Sequence, residues 1–158
     1  MRICTSICLA TLLLAGCDKA PIKRTAVNAT EAAAIAELAE GNFTAGKVEA
    51  IMDQYADDAV MIDAAAPNPS ADRKVQTGWA QTFVSMKPAD YRVRDRHIQL
   101  LGPDAFISSG VEVFTVGAGA ARPTVSARFT DVFQRKADGR WKIVHEHVSM
   151  PPVPTDAP

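Results

Sequence analysis

Cysteine is scarce, and none of the three residues, Cys4, Cys8 and Cys17, lies beyond the first stretch of the chain. A disulfide-stapled fold is thereby excluded for the remainder, which has to be held by an apolar core. Excess charge of one sign is also missing: the formal net charge is -1 and the sequence pI about 6.3. Nucleic-acid binders need a basic face to neutralise phosphates, so no nucleic-acid partner is expected. No apolar run reaches the roughly 20 residues of a membrane-spanning helix. No glycine-rich phosphate loop leads into a helix, because Gly117-Ala118-Gly119 lies in a strand connection. Ser149 lacks the elbow motif of a serine nucleophile. What remains is ordinary for one globular domain: 158 residues, 47% hydrophobic and 22% charged.

The first residues read as an address. Met1-Arg2 is a short basic start, and residues 3–14 form an apolar run of signal-peptide length. It ends in Leu14-Ala15-Gly16-Cys17, which resembles the lipobox of bacterial lipoproteins, whose Cys is acylated. Cleavage before Cys17 removes Cys4 and Cys8, commits the last thiol to lipid and makes the charge one unit more negative. The expected division is a lipoprotein signal peptide over 1–16, lipidated Cys17 and a tether over 17–27, a domain over 28–150, and a Pro-rich tail over 151–158. The expected location is the bacterial cell envelope, facing the periplasm, with the lipid anchor as the only membrane contact. Asp18 beside the anchor resembles the signal that keeps enterobacterial lipoproteins in the inner membrane.

Within the domain, helical signals precede strand signals. Asn28 with Glu31 three residues on is a capping-box pattern, and Ala32, Ile35, Leu38 and Ala39 share one helical face. Gly41 is a helix stop. Thr44 is a candidate cap for a second helix with Val48, Ile51, Met52 and Tyr55 at i, i+3, i+4 and i+7. Asp57 and Asp58 fall at its exposed end. A short strand over 59–63, a loop over 64–74 and a third helix over 77–86 follow. Four β-rich segments, 91–101, 105–116, 125–136 and 141–150, are separated by turn signals at hairpin spacing. Helices followed by an antiparallel meander is an α+β order, with the helices covering one face of a curved sheet.

Three segments carry a resemblance. Glu40-Gly41-Asn42-Phe43-Thr44-Ala45, Gly102-Pro103-Asp104-Ala105 and the last strand, Asp138-Gly139-Arg140-Trp141-Lys142-Ile143-Val144-His145-Glu146-His147-Val148-Ser149, resemble the nuclear-transport-factor-2-like (NTF2-like) superfamily, which includes SnoaL-like and ketosteroid-isomerase-like proteins. The likeness is greatest to the association (hub) domain of calmodulin-dependent kinases and its bacterial relatives. It implies a cone-shaped fold with a pocket between helices and sheet. It also implies self-association, as a homodimer or higher homo-oligomer, through the outer sheet face. It does not imply one activity.

Strict alternation of the last strand puts Trp141, Ile143, His145, His147 and Ser149 on one face, the mixture expected of a pocket wall. Lys142, Val144, Glu146, Val148 and Met150 then share the outer face. Two hairpin registers are open. A three-residue loop over 137–139 sets Phe133 against Ile143, Asp131 against His145 and Phe129 against His147. A two-residue Asp138-Gly139 turn sets Val132 against His145 and Thr130 against His147. The first is preferred, because it joins a carboxylate to an imidazole. His145 with Asp131 is then the candidate acid/base pair. Tyr55, Trp79, Phe83, Phe129, Asp131, His145 and His147 are the candidate ligand-binding residues. His145-x-His147 is compatible with a metal, yet neither metal nor other cofactor is expected. Arg92, Arg94 and Arg96 read as one solvated or interface face. The expected function is a membrane-tethered module that binds a small apolar organic molecule or self-associates. The alternative is an isomerase or hydro-lyase using acid/base catalysis; no Asp base with a Tyr and a second acid is apparent in the sequence.

Overall fold

The structure is a computed structural model and describes residues 25–119 and 121–151. The expected signal peptide, Cys17, Asp18 and residues 152–158 of the expected tail over 151–158 lie outside the described residues.

Asn28 caps α1 (Ala29–Gly41): its side-chain oxygen accepts from the Glu31 amide at 3.0 Å, while Glu31 accepts from the Asn28 amide at 3.2 Å. Two amides that the helix cannot satisfy are thus paired reciprocally. The packed face is Ala32 and Ala36, with Ile35 and Ala39 beside it; Leu38, expected on that face, is 76% exposed. A single 3-10 turn (Asn42–Thr44) then drives Phe43 into the core. Helix α2 (Val48–Met52) is shorter than its apolar spacing suggests and starts from Lys47 rather than Thr44. Tyr55 opens β1 (Tyr55–Ile62) instead of closing α2, and Asp57 and Asp58 are exposed on that strand. Helix α3 (Arg73–Ser85) begins at Asp72, whose carboxylate accepts from the Lys74 amide at 2.8 Å.

Strands β2 (Ala89–Gly102), β3 (Ala105–Thr115), β4 (Thr124–Arg135) and β5 (Trp141–Ser149) form the antiparallel meander. β1 adds to the free side of β5 and runs parallel to it, giving the order β1-β5-β4-β3-β2. The architecture is α+β, with helices packed on a curved, open five-stranded sheet. The inner sheet face carries Phe106 and Phe133, stacked at 4.7 Å between ring centres, and Ile143 beneath the helices. Phe106 is wholly buried, so its truncation to Ala would cost about 3–5 kcal/mol.

Two bulges decide which side chains face inward. In β5, Phe133 pairs with Ile143 but Val132 pairs with His145, so Val144 is an extra residue. The loop closes between Lys136 and Arg140 with Gly139 at φ 88°, as the three-residue alternative requires. Beyond Val144 the register becomes that of the other alternative. Asp131 therefore opposes Glu146, not His145, and Phe129 opposes Val148, not His147. A bulge inserts one residue and reverses every later side chain, which is why strict alternation fails here. In β2 the register slips between Arg94 and His97, where Asp95 has φ 52°. Arg92 and Arg94 stay outward, whereas Arg96 turns inward and grips Glu40 through two hydrogen bonds of 2.7 Å. The solvated reading of Arg96 is corrected accordingly.

Candidate functional site

Between α3, the loop after β1 and the inner faces of β3, β4 and β5 lies a cavity of about 290 Å³. Its wall is mostly apolar: Phe43, Trp79, Phe83, Phe114, Val125, Ala127, Val148 and Met150 among others. Trp79 and Phe83 lie on α3 four residues apart, on one helical face, and stack at 5.6 Å. Phe43 meets both edge-on, and Phe83 meets Phe114 at 5.5 Å. Phe43, Trp79, Phe83, Tyr91 and Phe114 thus form one ring cluster, separate from that of Phe106, Phe133 and Trp141.

Three carboxyl groups face this apolar space: Asp63 from the end of β1, Glu112 from β3 and Glu146 from β5. Each has one oxygen held by an aromatic donor. Trp79 Nε1 donates to Asp63 Oδ2 at 2.9 Å, the Tyr91 hydroxyl to Glu112 Oε2 at 2.7 Å, and the Tyr55 hydroxyl to Glu146 Oε2 at 2.5 Å. Asp131 stands next to Glu146 across the β4–β5 ladder, with Ser108 on its other side. Asp131 Oδ1 and Glu146 Oε1 are buried without a hydrogen-bond partner among the described residues.

Burial governs the electrostatics. Glu146, 3% exposed, is pushed up to about 8 by loss of hydration, the Tyr55 hydrogen bond opposing the rise while the charges of Glu112 and Asp63 add to it. Asp131 is driven well above the carboxylate range by the same desolvation and by Glu146, Glu112 and Glu40, with Arg96 offsetting part of it. Glu112 is raised by burial against the pull of Tyr91. Both phenols are held well above their ordinary value, first by burial and then by their carboxylate partners. In neutral water the site therefore stores protons: a carboxylic acid at the cavity wall, able to donate a hydrogen bond or give up a proton near neutrality.

Of the residues singled out in the sequence, Trp79 and Phe83 line the cavity, Tyr55 stands behind Glu146, and Asp131 and Phe129 are buried on the same sheet face. His145 and His147 are not part of it. The bulge at Val144 sends both to the opposite face, where His147 is exposed and His145 opposes Val132. The His145–Asp131 pair is therefore corrected to a Glu146–Asp131 pair. Val148 and Met150, assigned to the outer face, line the cavity instead. Glu146, Glu112 and Asp63 as wall residues escaped the sequence reading. One signal was present: the apolar phase of the last strand changes from Trp141 and Ile143 to Val144, Val148 and Met150, and adjacent Ile143-Val144 marks the change. Among the described residues no cluster of His, Cys, Asp and Glu is arranged to hold a metal ion.

Helices packed on a curved, open five-stranded sheet define the NTF2-like class. The chain belongs to the SnoaL-like domain family, whose model matches residues 27–154. Among solved structures it is similar to a candidate calcium/calmodulin-dependent protein kinase II association domain from Xanthomonas campestris: 28% identity, 80% of this chain and 89% of that one, TM-score 0.72. A kinase II hub homology domain from Chlamydomonas reinhardtii matches at 20% identity over 78% of this chain and 98% of that one, TM-score 0.64. A candidate ketosteroid isomerase from Shewanella frigidimarina matches at 16% identity over 75% and 94%, TM-score 0.61. No curated protein matches the chain at a significant level.

Proposed function

We propose that the cavity binds a small, largely apolar organic molecule whose one polar group meets Glu146. The observation that carries this reading is a buried carboxyl group with an oxygen left unpaired among the described residues, at the wall of a mostly apolar cavity. Leaving such a group unpaired costs about 1–3 kcal/mol, which a ligand atom could recover. A volume near 290 Å³ suits a molecule of one or two rings. The test is a thermal-shift and calorimetric screen of one- and two-ring compounds on wild type, Glu146→Gln and His147→Ala. Ligands that distinguish Glu146→Gln but not His147→Ala support the reading; equal response of all three, or sensitivity only at His147, overturns it.

A second reading, acid/base isomerisation or dehydration in the same cavity, is favoured by one observation: Glu146 is pushed up to about 8, where an acid and its base are both accessible. Tyr55 would act as a positioning residue. The likeness to a candidate ketosteroid isomerase supports this reading only at the level of fold. Turnover of a cyclic enone lost in Glu146→Gln would support it; undiminished turnover in that variant would sink it.

Self-association is proposed through the outer sheet face. With Val148 and Met150 turned inward, that face carries a half-buried row, Ile107, Val132, His145 and Val60, across four strands. Solved neighbours named for association and hub roles support this. Sedimentation at micromolar concentration should show a dimer or larger, and Val132→Asp should yield monomer; a monomeric wild type contradicts the proposal. The lipobox at Cys17 supports a tether that holds the domain at the envelope membrane.

A further inference from the structure

We infer that the cavity takes an organic cation, an amine on a compact aromatic or branched body, with its ammonium group seated among Glu146, Glu112 and Asp63. This rests on the reading of the cavity as a ligand pocket and names the polar group that pocket selects. The wall residues, all among the described ones, include three acids and no Lys, Arg or His. Their hydrogen-bond donors are already spent. The Trp79 indole serves Asp63, and the Thr82 hydroxyl donates to the Gly78 carbonyl at 3.0 Å. Behind the wall, Tyr55 and Tyr91 serve Glu146 and Glu112. Each of these donors is neutral, so none supplies a positive charge beside the acids. Acceptors thus outnumber donors, and Glu146 Oε1 is left over in a side chain that is 3% exposed.

A ligand carboxylate would meet the acidic side chains of Asp63 and Glu112 and bring no donor to Glu146 Oε1. A ketone or ether would bring one more acceptor to a site short of donors, and only a protonated carboxyl could serve it. An ammonium brings several donors and the missing positive charge. Trp79, Phe83 and Phe43 present ring surfaces near the same space, which attract a cation further.

In the empty cavity Glu146 holds a proton below about pH 8. The groups that face it are Tyr55 from β1, Asp63 from the end of β1, Glu112 from β3 and Asp131 from β4. Tyr91 backs Glu112, and Arg96 is engaged by Glu40. An ammonium replaces that proton. Binding should therefore release a proton and tighten as pH rises toward 8, while the amine itself stays charged to about 10.

The experiment is calorimetry on the full-length chain in mild detergent with phenethylamine, 2-phenylethanol, benzylacetone and 3-phenylpropionate. Titrations run from pH 6 to 8.5 in buffers of different ionisation enthalpy. The amine should bind at least tenfold tighter than the alcohol at pH 7.5, with affinity rising severalfold from pH 6 and a buffer-dependent heat that reports proton release. Glu146→Gln, an isosteric change, should cost the amine tenfold or more and flatten its pH profile, a larger loss than it causes for the alcohol. Glu112→Gln should weaken the amine in the same direction. If the alcohol or ketone binds as tightly as the amine, the cation inference falls and the ligand-pocket reading stands. If 3-phenylpropionate is the preferred probe, the inference falls as well. If no probe binds, both fall.

Discussion

Asp131 on β4 and Glu146 on β5 are direct partners across the ladder, and both carboxyl groups are almost wholly out of water. Among the described residues only Tyr55 donates to Glu146, and Asp131 Oδ1 has no hydrogen-bond partner. Two like charges that close in a dry interior cannot both persist, so the pair retains protons well above the usual carboxylate range.

Stability should fall as pH rises. An unfolded Glu titrates near its ordinary value of 4.5, whereas folded Glu146 titrates near 8. Between these values the folded state binds more protons than the unfolded chain, so each pH step favours unfolding. Stability from this group is fully present below about 4.5 and is lost by about 8, and Asp131 acts in the same sense. Thermal denaturation should give a higher Tm at pH 5 than at pH 8.5, and Glu146→Gln should narrow the gap. A Tm that climbs steadily with pH would contradict the buried-acid account.

Tyr55→Phe keeps the ring in the core and removes the hydroxyl that serves Glu146. The carboxyl group then has neither oxygen paired. A loss of about 1–3 kcal/mol is expected in urea unfolding. Because that hydrogen bond lowers the Glu146 pKa, its removal should also move the pH-dependent limb of stability upward. A purely packing role for Tyr55 would leave that limb in place.

Gly110→Ala should disturb the β2 bulge. A Cβ at Gly110 would lie 2.9 Å from the Arg94 carbonyl oxygen and 3.3 Å from that of Asp95. Both are backbone atoms that cannot swing away. The strand must shift where Asp95 adopts φ 52° and Arg96 turns toward Glu40. A destabilisation of about 1–3 kcal/mol is expected from such overpacking. The Arg96→Ala variant should then lose less in the Gly110→Ala background than in wild type, which a double-mutant cycle measures.

Under the proposed tether, Cys17→Ser should leave an unacylated precursor, because the lipobox-like Leu14-Ala15-Gly16-Cys17 then lacks the thiol that would carry the lipid. Metabolic labelling with a fatty acid and phase partition of the cell envelope check this; label in the variant would overturn the anchor.

Much of the helical layer was legible in the chain. Asn28 and Glu31 stand at capping distance in sequence, and the cap they make is local, so nothing distant could override it. The four hairpin segments were legible for the same reason, since Gly102 and Gly139 mark turns whose strands lie next to each other in the chain. Tyr55 was misplaced in α2 because its spacing suits a helix equally well. The parallel pairing of β1 with β5, from which Ile143 donates its amide to the Gln54 carbonyl, draws it into the sheet.

The sequence by itself determined the α+β order, the caps, the turns and the concentration of apolar residues on a helical layer and a meander. These depend on neighbours a few residues apart, and local backbone preference and hydrophobic period report them. Only the tertiary structure decided which acids meet. Tyr55 and Glu146 are 91 residues apart, and Glu146 reaches the cavity because one extra residue, Val144, is accommodated between β4 and β1. A bulge of that kind is selected by how the two neighbouring strands and the helices above them pack, and the inward or outward sense of every residue after it follows from that packing.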